Sequence, residues 1–440
     1  ISNLTLEAQI LVSLFTYHNL YVGGIVAYGF ASLIEDCVFE GSITVYASNS
    51  YAYAGGILSY SSSGTGVQHC VNKGSIYASS QGTAYAGGIM ADCDNATPLI
   101  SHCHNEANVY ATGYLYAYAG GIAAKLNYGA AIQACYNTGK IETYSNSNTY
   151  VGGIAGVGTA CSITSSFNEG ELKVIGYDHA YGGGIVGFTE YPSIVSDCYN
   201  QGNLLVSSYF QKSFVGGIVG HIYNYAMTPT IVSSCYQTGT LQSISSFRAF
   251  SGGIAGEIVN NARISQCYYL QSTVLMPTNA AGMEVDAPFL RALSTVDTLN
   301  QSRQLWLYDE AFINKGYPLL LQSGKGFVIT DIPSIQMTSV TLKARVIERV
   351  DSVCLRGFAY KKQSQSVYSH LVSDTGNAFQ ANLYALEADT SYICKAYAVL
   401  SKDTVYGNTV QFSTGNIKVQ TLAVNELFPH SVTFNASISY

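Results

Sequence analysis

The stretch Tyr150-Val-Gly-Gly-Ile154 decides the fold, because this chain of 440 residues repeats it. An aromatic-x-Gly-Gly-Ile cassette occurs eight times within the first 270 residues at a spacing of about 32 residues, which is typical of stacked repeat proteins. Each unit is too small to bury its apolar face alone, so its neighbours complete it. The cassettes begin at Tyr21, Tyr53, Tyr85, Tyr118, Tyr150, Tyr181, Phe214 and Phe250.

Two further anchors keep the same register in every unit. A cysteine follows the cassette in most units, and a small residue followed by an aliphatic one comes shortly after it. These segments are rich in Tyr, Val, Ile and Thr and are separated by Gly, Asn and Ser, which favours short strands over helices. We therefore predict an all-β fold: a parallel β-solenoid of about eight coils, expected to be a right-handed β-helix with three strands per coil. The cysteine column is Cys37, Cys70, Cys103, Cys135, Cys198, Cys235 and Cys267, with Ser166 filling the gap.

Stacking of equivalent positions predicts where each column points. Alternation along a strand puts the cassette aromatic, the first glycine and the isoleucine on one face, which we expect to be the inner one. The aromatic column that this places in the core is Tyr21, Tyr53, Tyr85, Tyr118 and Tyr150.

An Ile or Val column precedes the cysteines by three residues, an odd spacing that requires a bulge or corner between the two columns. Two residues past the cysteines, asparagines are expected to form left-handed turns and to hydrogen-bond to the next coil. These asparagines are Asn72, Asn105, Asn137, Asn168 and Asn200.

The cysteines of the column are predicted to be free, buried thiols, because neighbouring Cβ vectors in such a column run parallel and do not face each other. Cys354 and Cys394 lie in predicted neighbouring strands further on. They form either a disulfide or two separate core thiols.

Charge and hydropathy argue against nucleic-acid binding and against a membrane-spanning helix. The formal net charge is -7, and the first 270 residues hold 14 acidic and 7 basic residues, which argues against a polyanion such as nucleic acid. No apolar run reaches the roughly 18 to 20 residues that a membrane-spanning helix needs.

One polar column has the residue types of a metal site. Asp36, His69 and His102 precede the cysteines of three successive units, and His104 lies two residues past His102. Two imidazoles and a carboxylate about 4.8 Å apart are suitable ligands for a divalent cation. A solvent-facing polar column is the alternative, because parallel side chains do not converge on an ion.

A second candidate site is aromatic. If the cysteines point inward, the residues directly after them face outward and form a stripe that could stack on sugar rings or dock a protein. Loops from the same coils could instead cover this row. Its members are Tyr136, Phe167, Tyr199, Tyr236 and Tyr268.

Catalytic motifs are absent from the sequence: there is no His-Glu-x-x-His, no Gly-x-Ser-x-Gly and no phosphate loop with lysine. Carboxylates occur as neighbours but without a second acid and a basic group beside them. We therefore expect a protein that is not an enzyme and needs no cofactor.

The residues Tyr150-Val-Gly-Gly-Ile-Ala-Gly156 and Ser162-Ile-Thr-Ser-Ser-Phe-Asn-Glu-Gly170 resemble the GLUG-motif repeat of bacterial secreted and surface proteins. The pattern recurs over residues 15 to 270. The resemblance implies a β-solenoid of the kind found in adhesin-like proteins and in accessory regions of large bacterial proteases.

Residues 271 to 325 are expected to form a cap in which Asp286 begins a helix whose apolar residues share one face. These residues are Phe289, Leu290, Leu293, Val296 and Leu299, and Trp306, Tyr317 and Leu319 to Leu321 supply further apolar cover.

From residue 326 the pattern changes to alternating strands. Gly357-Phe-Ala-Tyr360 and Leu386-Glu-Ala-Asp-Thr-Ser-Tyr392 are similar to the fibronectin type III-like domains of Bacteroidetes surface proteins, with Tyr392 as the tyrosine-corner residue of a β-sandwich. The expected organisation is a solenoid at 1–270, the cap at 271–325, a sandwich at 326–415 and the start of a second sandwich at 416–440.

Together these features predict an extracellular or cell-surface adhesin without catalytic activity, whose solenoid binds a glycan or a protein of a host or bacterial surface. The alternative is an accessory solenoid of a larger secreted enzyme, either a polysaccharide-processing enzyme or a protease.

Overall fold

A computed structural model of the chain describes residues 1–15, 17–93, 97–274, 278–279, 281–301, 303–321, 327–336, 339–347, 353–373, 376–400, 404–415, 418–428 and 431–439; of residues 354, 400 and 418–439 only the backbone is described. The chain divides into two compact units. The first comprises residues 1–308 and 317–325, and the second comprises residues 309–316 and 326–440. The proposed boundaries at 270 and 415 stay predictions.

The first unit is a parallel β-solenoid of about eight coils, as predicted. Each coil passes through four sheets, and the fourth sheet is itself made of a short and a long strand segment per coil. The cassette sheet contains Leu20–Gly23, Ala52–Gly55, Thr83–Gly87, Tyr116–Gly120, Asn148–Gly152, Ala180–Gly183, Lys212–Gly216 and Arg248–Gly252. The second sheet contains Val26–Phe30, Leu58–Ser62, Met90–Cys93, Ala123–Leu126, Ala155–Thr159, Val186–Glu190, Val219–Asn224 and Ala255–Asn260.

The third and fourth sheets complete the coil. The third sheet contains Leu33–Glu35, Gly66–Gln68, Leu99–Ser101, Ala131–Gln133, Ser162–Thr164, Ile194–Ser196, Thr230–Ser233 and Ala262–Ser265. The short strands of the fourth sheet are Val71–Asn72, His104–Asn105, Tyr136–Asn137, Phe167–Asn168, Tyr199–Asn200, Tyr236–Gln237, Tyr268–Leu270 and Met283–Val285. Its long strands are Thr5–Leu14, Val38–Ala47, Ser75–Ser80, Val109–Gly113, Ile141–Ser145, Leu172–Gly176, Leu204–Ser208 and Leu241–Ser245.

Neighbouring coils pair in register, so equivalent residues stack. Tyr85, for example, lies between Tyr53 and Tyr118, and Ile76 lies between Ile43 and Val109. Inward columns of Ile, Val, Ala and Cys from all four sheets therefore join into one continuous buried core.

The cassette aromatics do not point into this core, which corrects the prediction. The residue after the aromatic, such as Ala86 or Val151, lies in the core together with the cassette isoleucine, whereas Tyr53 and Tyr85 belong to a separate small cluster. The reason is a sharp bend at the two glycines: a Cβ atom on Gly87 would lie 1.7 Å from the carbonyl oxygen of Met90. Strict alternation therefore does not continue from the aromatic to the isoleucine.

The corner predicted before the cysteines exists, and it uses a left-handed backbone. The residue directly preceding the cysteine position has a positive φ in every coil, for example 54° at Ala134 and at Asp197. The asparagines were expected to take this conformation, but they lie in strands. Their predicted hydrogen bonds to the next coil are confirmed: Asn105 Nδ2 donates to Asn137 Oδ1 at 2.7 Å, and Asn137 Nδ2 donates to Asn168 Oδ1 at 2.8 Å.

The cysteines of the column are buried and form no disulfides, as predicted. Each of its seven cysteines has less than a tenth of its surface exposed. Most of these thiols donate to the carbonyl two residues upstream, as Cys70 Sγ does to Gln68 at 3.1 Å. Burial raises the pKa of Cys103, Cys235 and Cys267.

The cap contains two short helices where one was predicted. Helix α1 spans Ala287–Leu290 and starts at Asp286, whose carboxylate accepts a hydrogen bond from the Phe289 backbone. Helix α2 spans Leu293–Asn300. Because the chain turns between the helices, Phe289 and Leu293 are exposed, while Leu290 of α1 and Val296 and Leu299 of α2 are buried.

The second unit contains two antiparallel sheets that share one core. Its first sheet contains Phe327–Thr330, Ser334–Gln336, Ser339–Ile347 and Ala378–Leu383, and its second contains Val353–Lys362, Ser369–Val372, Ser391–Leu400, Thr404–Tyr406 and Val410–Ser413. A separate antiparallel hairpin pairs Lys418–Phe428 with Ser431–Ser439. Outside these sheets, Trp306–Leu307 pairs with Leu319–Leu320 in the cap of the first unit.

Two predictions about single residues fall in the second unit. The Tyr392 hydroxyl is buried and accepts a hydrogen bond from the Glu387 backbone at 3.1 Å, the contact expected of a tyrosine corner. Cys394 is a free, buried thiol. The strand register places Tyr360 opposite Cys394, while Cys354 lies near the far end of the same strand pair, so the two cysteines do not form a disulfide.

Candidate functional site

The structure does not bring the predicted metal column together around an ion. His69 and His102 stack with ring centroids 5.0 Å apart and an interplanar angle of 26°, so their rings run side by side. His104 pairs instead with Glu106, Nε2 to Oε1 at 3.2 Å, and this hydrogen bond lowers the pKa of Glu106. Asp36 and His69 occupy equivalent positions in adjacent coils, as the predicted column requires. Within the described ranges, no three His, Cys, Asp or Glu side chains are placed to hold a metal ion.

The predicted outward aromatic row does stack, but it is covered. Tyr136 and Phe167 have centroids 4.9 Å apart, Phe167 and Tyr199 4.5 Å, and Tyr199 and Tyr236 5.0 Å. Phe167, Tyr199, Tyr236 and Tyr268 are nonetheless buried, and Tyr136 is half-buried. The expectation of an exposed stripe is therefore corrected.

The cover comes from the cap and not from loops of the same coils. Trp306 packs on Tyr236 with centroids 5.4 Å apart, and the Tyr236 hydroxyl donates to the Pro318 carbonyl at 2.9 Å. Arg303 forms two hydrogen bonds with the buried carboxylate of Asp197, at 2.8 and 3.0 Å. The cap therefore covers Tyr199, Tyr236 and Tyr268, and only Tyr136 at the other end of the row is partly open.

The cassette aromatics form a second continuous ladder, on the outer side of the cassette sheet. Successive rings from Tyr21 to Phe250 stack with centroids 4.4 to 5.0 Å apart. Their neighbours are side chains of the second sheet: Tyr60 contacts Tyr21 edge-on at 5.2 Å, and His221 contacts Phe214 at 4.7 Å. Burial raises the pKa of Tyr150 to about 12. This ladder therefore packs into an outer corner of the coil and is largely closed.

The long strands of the fourth sheet carry a different, open set of tyrosines. Their inward positions belong to the core, and their outward positions place Tyr46 and Tyr144 in one column and Tyr77 and Tyr110 in the adjacent one. Tyr114 follows at the next turn and is exposed. We call these five tyrosines and the recesses between them the tyrosine face.

A gap in the first column creates a recess on this face. Between Tyr46 and Tyr144 the two intervening coils carry Ser79 and Thr112, which are too small to fill the space between the rings. The recess has a volume of about 320 Å³, within the range of small-ligand sites. It is lined by Tyr46, Ala47, Ser48, Ser79, Ser80, Gln81, Thr112, Gly113, Tyr114, Tyr144 and Asn146. None of these residues is charged.

A second recess of about 240 Å³ adjoins the first and shares Thr112 and Tyr144 with it. It is lined by Tyr110 and, unlike the first, by the charged residues Glu142 and Lys173. The Glu142 carboxylate accepts from Lys140 Nζ at 2.6 Å, and this contact raises the pKa of Lys140. Tyr144 thus stands between an uncharged recess and a charged one.

The tyrosine face was not predicted, although the sequence contained a signal for it. Once an aliphatic anchor such as Ile43 or Ile141 is placed inward, residues one and three positions later must face outward. Tyr46, Tyr77 and Tyr144 occupy such positions. The size of the recesses depends on neighbouring coils and has no signature within one repeat.

Comparisons with known proteins agree with the fold. The family model described as the GLUG motif matches residues 18–44. No curated protein matches the chain. None of the helices in the described segments is long and apolar enough to span a bilayer.

Two solved structures are similar at 17% sequence identity. One is a candidate immunoglobulin A1 protease from Bacteroides ovatus, with 69% of this chain and 88% of that chain covered and a TM-score of 0.28. The other is described as a myokine structure, with 20% of this chain and 97% of that chain covered and a TM-score of 0.19. At these TM-scores neither likeness supports a functional argument.

Proposed function

We propose that this protein is an extracellular, non-catalytic adhesin whose solenoid binds a glycan on the tyrosine face. The observation that carries the proposal is the pair of adjoining recesses that share Tyr144. In this proposal the second unit is a fibronectin type III-like spacer of the kind found in Bacteroidetes surface proteins.

Ring chemistry favours a sugar in the first recess. The face of an aromatic ring is electron-rich, so it attracts the weakly positive C–H groups on one side of a pyranose. Tyr46 and Tyr144 lie at the two ends of the column that lines the recess, with Thr112 between them. The side-chain amides of Gln81 and Asn146 also line the recess. These groups both donate and accept hydrogen bonds, as the hydroxyls of a sugar require.

The second recess contains charged groups that can form strong hydrogen bonds to a sugar. Glu142 offers acceptor oxygens and Lys173 offers donor hydrogens beside Tyr110. A charged partner strengthens a hydrogen bond relative to a neutral pair, so this recess can select sugars by the position of their hydroxyls. We propose that one ligand occupies both recesses, because Thr112 and Tyr144 line both of them.

The test is a glycan-array screen of the whole chain, followed by calorimetry on the best ligand with three variants. Tyr144→Ala removes the shared ring and should weaken binding by roughly tenfold, which corresponds to about 1.4 kcal/mol. Tyr144→Phe keeps the ring and should bind almost as well as the parent. Tyr128→Ala is the matched control, because Tyr128 and Tyr144 are both 44% exposed and Tyr128 lies outside both recesses.

The proposal fails if the array gives no binding, or if Tyr144→Ala and Tyr128→Ala bind the ligand equally well. Capture of a protein with no glycan on it, at a site sensitive to Tyr144→Ala, would replace the sugar by a protein ligand.

A further inference from the structure

The second unit carries a cationic surface of its own, on the outer side of its second sheet. Phe358, Cys394 and Ala396 of this sheet face the core, so the alternate positions face outward. There the register pairs Ala359 with His370 on one side and with Lys395 on the other. The acidic excess that argues against a polyanion lies in the first 270 residues, outside this unit. We propose that this surface, the lysine–tyrosine face, binds an anionic polysaccharide through its sulfate or carboxylate groups.

Two ammonium groups are held next to one ring. Lys395 Nζ lies 4.9 Å from the ring centroid of Tyr368 and 4.1 Å from that of Tyr406, and Lys361 Nζ lies 4.9 Å from the same Tyr368 ring. The electron-rich faces attract the cations and restrict their rotamers. Part of the entropy that a lysine loses on binding an anion is therefore already lost in the free protein.

No carboxylate of the described residues neutralises the charge on this face. The described outward positions of its strands hold no acidic residue; they are Leu355, Gly357, Ala359, Lys361, His370, Val372, Ser391, Ile393, Lys395, Tyr397, Val399, Thr404, Tyr406, Gln411 and Ser413. Neither Lys361 nor Lys395 forms an ion pair with a described residue. Lys362 does pair with Glu387, but it points to the opposite side of the strand. Among the residues that the structure describes, the face thus presents positive charge alone.

The geometry suits a chain with repeated anionic groups. Both ammonium groups lie beside Tyr368, so they are no further apart than twice 4.9 Å, a distance that neighbouring groups on one polymer can span. Tyr397 lies across Gly357, where a Cβ atom would come within 2.6 Å of the tyrosine hydroxyl, and this keeps the face flat. The exposed side chains of Tyr406 and His370 add hydrogen-bonding groups for sugar hydroxyls.

The test measures binding of the full chain to dextran sulfate, to polygalacturonate and to neutral dextran by biolayer interferometry at low and at physiological ionic strength. We expect binding to at least one anionic polymer, with the preferred polymer showing whether sulfate or carboxylate is recognised. Binding should weaken as salt increases, and neutral dextran should not bind. The double variant Lys361→Gln/Lys395→Gln should weaken binding at least tenfold.

The control Lys343→Gln/Arg345→Gln removes the same charge from exposed positions of the other sheet and should change affinity less than twofold. Unchanged melting temperatures would show that both double variants are folded. The proposal is overturned if neither anionic polymer binds, if neutral dextran binds equally well, or if the two double variants lose affinity to the same extent. These outcomes are separate from those of the tyrosine face, whose test uses substitutions in the other unit.

Discussion

The buried asparagine ladder makes a sharp prediction for Asn137→Ala. Asn137 is fully buried, and its side-chain amide forms three hydrogen bonds. Nδ2 donates to Asn168 Oδ1 at 2.8 Å and to the Gly139 carbonyl at 2.8 Å, while Oδ1 accepts from Asn105 Nδ2 at 2.7 Å. The substitution removes all three bonds and interrupts a chain of amides that runs through successive coils.

The expected loss follows from what each partner retains. Asn105 Nδ2 keeps its bond to the Ala107 carbonyl, and Asn168 Oδ1 keeps the bond from the Gly170 backbone, but the Gly139 carbonyl loses a buried partner. Three buried hydrogen bonds at about 1 kcal/mol each, with one acceptor left unsatisfied, give a decrease of about 3 to 4 kcal/mol in the free energy of unfolding.

The matched control is Asn108→Ala in a neighbouring coil. Asn108 also bonds to the next coil, through a 3.3 Å contact from the Lys140 backbone to Oδ1, but this contact is exposed, so its loss should cost less than about 1 kcal/mol. Urea unfolding followed by far-ultraviolet circular dichroism measures both variants. Equal destabilisation by the two substitutions would refute the reasoning, because burial of the amide would then contribute nothing.

Two further predictions concern the cap and the outer corner of the coil. Arg303→Met should lower the free energy of unfolding by about 2 to 3 kcal/mol. This is less than for a wholly buried ion pair, because the Arg303 side chain is 43% exposed. The double variant Arg303→Met/Asp197→Asn should regain part of the lost stability, because it no longer buries an unpaired carboxylate. Trp306 fluorescence reports on unfolding of this region. An unfolding transition unchanged by Arg303→Met would show that the Arg303–Asp197 ion pair does not stabilise the cap. His221 Nδ1 lies 3.2 Å from Glu257 Oε2, and this contact lowers the pKa of Glu257 below its usual 4.5. The stabilisation from the contact is therefore complete above that pH and is lost as the pH falls through the folded value. Glu257→Gln should therefore flatten the acid side of a plot of melting temperature against pH, and superimposable curves would contradict this.

The covered aromatic row shows where reasoning from one repeat ends. The residues after the cysteine column were correctly expected to point away from the core, yet Phe167 and Tyr199 are buried. Trp306, more than a hundred residues later in the chain, lies beside Tyr199 and belongs to the same buried cluster as both rings. Local alternation gives the direction of a side chain but cannot show what packs against it.

The cassette aromatics show a second limit. The prediction carried alternation through Gly87 and Gly88 and so put Tyr85 inside. The backbone bends at these glycines, since the space of a Cβ atom on Gly87 is taken by the Met90 carbonyl. Side chains alternate between the two faces only as long as the strand continues, and the two glycines mark the place where this strand ends.

The amino-acid sequence by itself determined the solenoid, its coil length, its in-register columns and its buried free thiols, because each follows from a short pattern repeated at a constant spacing. Only the tertiary structure decided which aromatic columns are open. The cap closes one row and side chains of the second sheet close another, while the tyrosine face stays open because Ser79 and Thr112 leave a gap between Tyr46 and Tyr144. Exposure is a property of the neighbours that a residue meets in space, and those neighbours belong to other coils or to a distant segment of the chain.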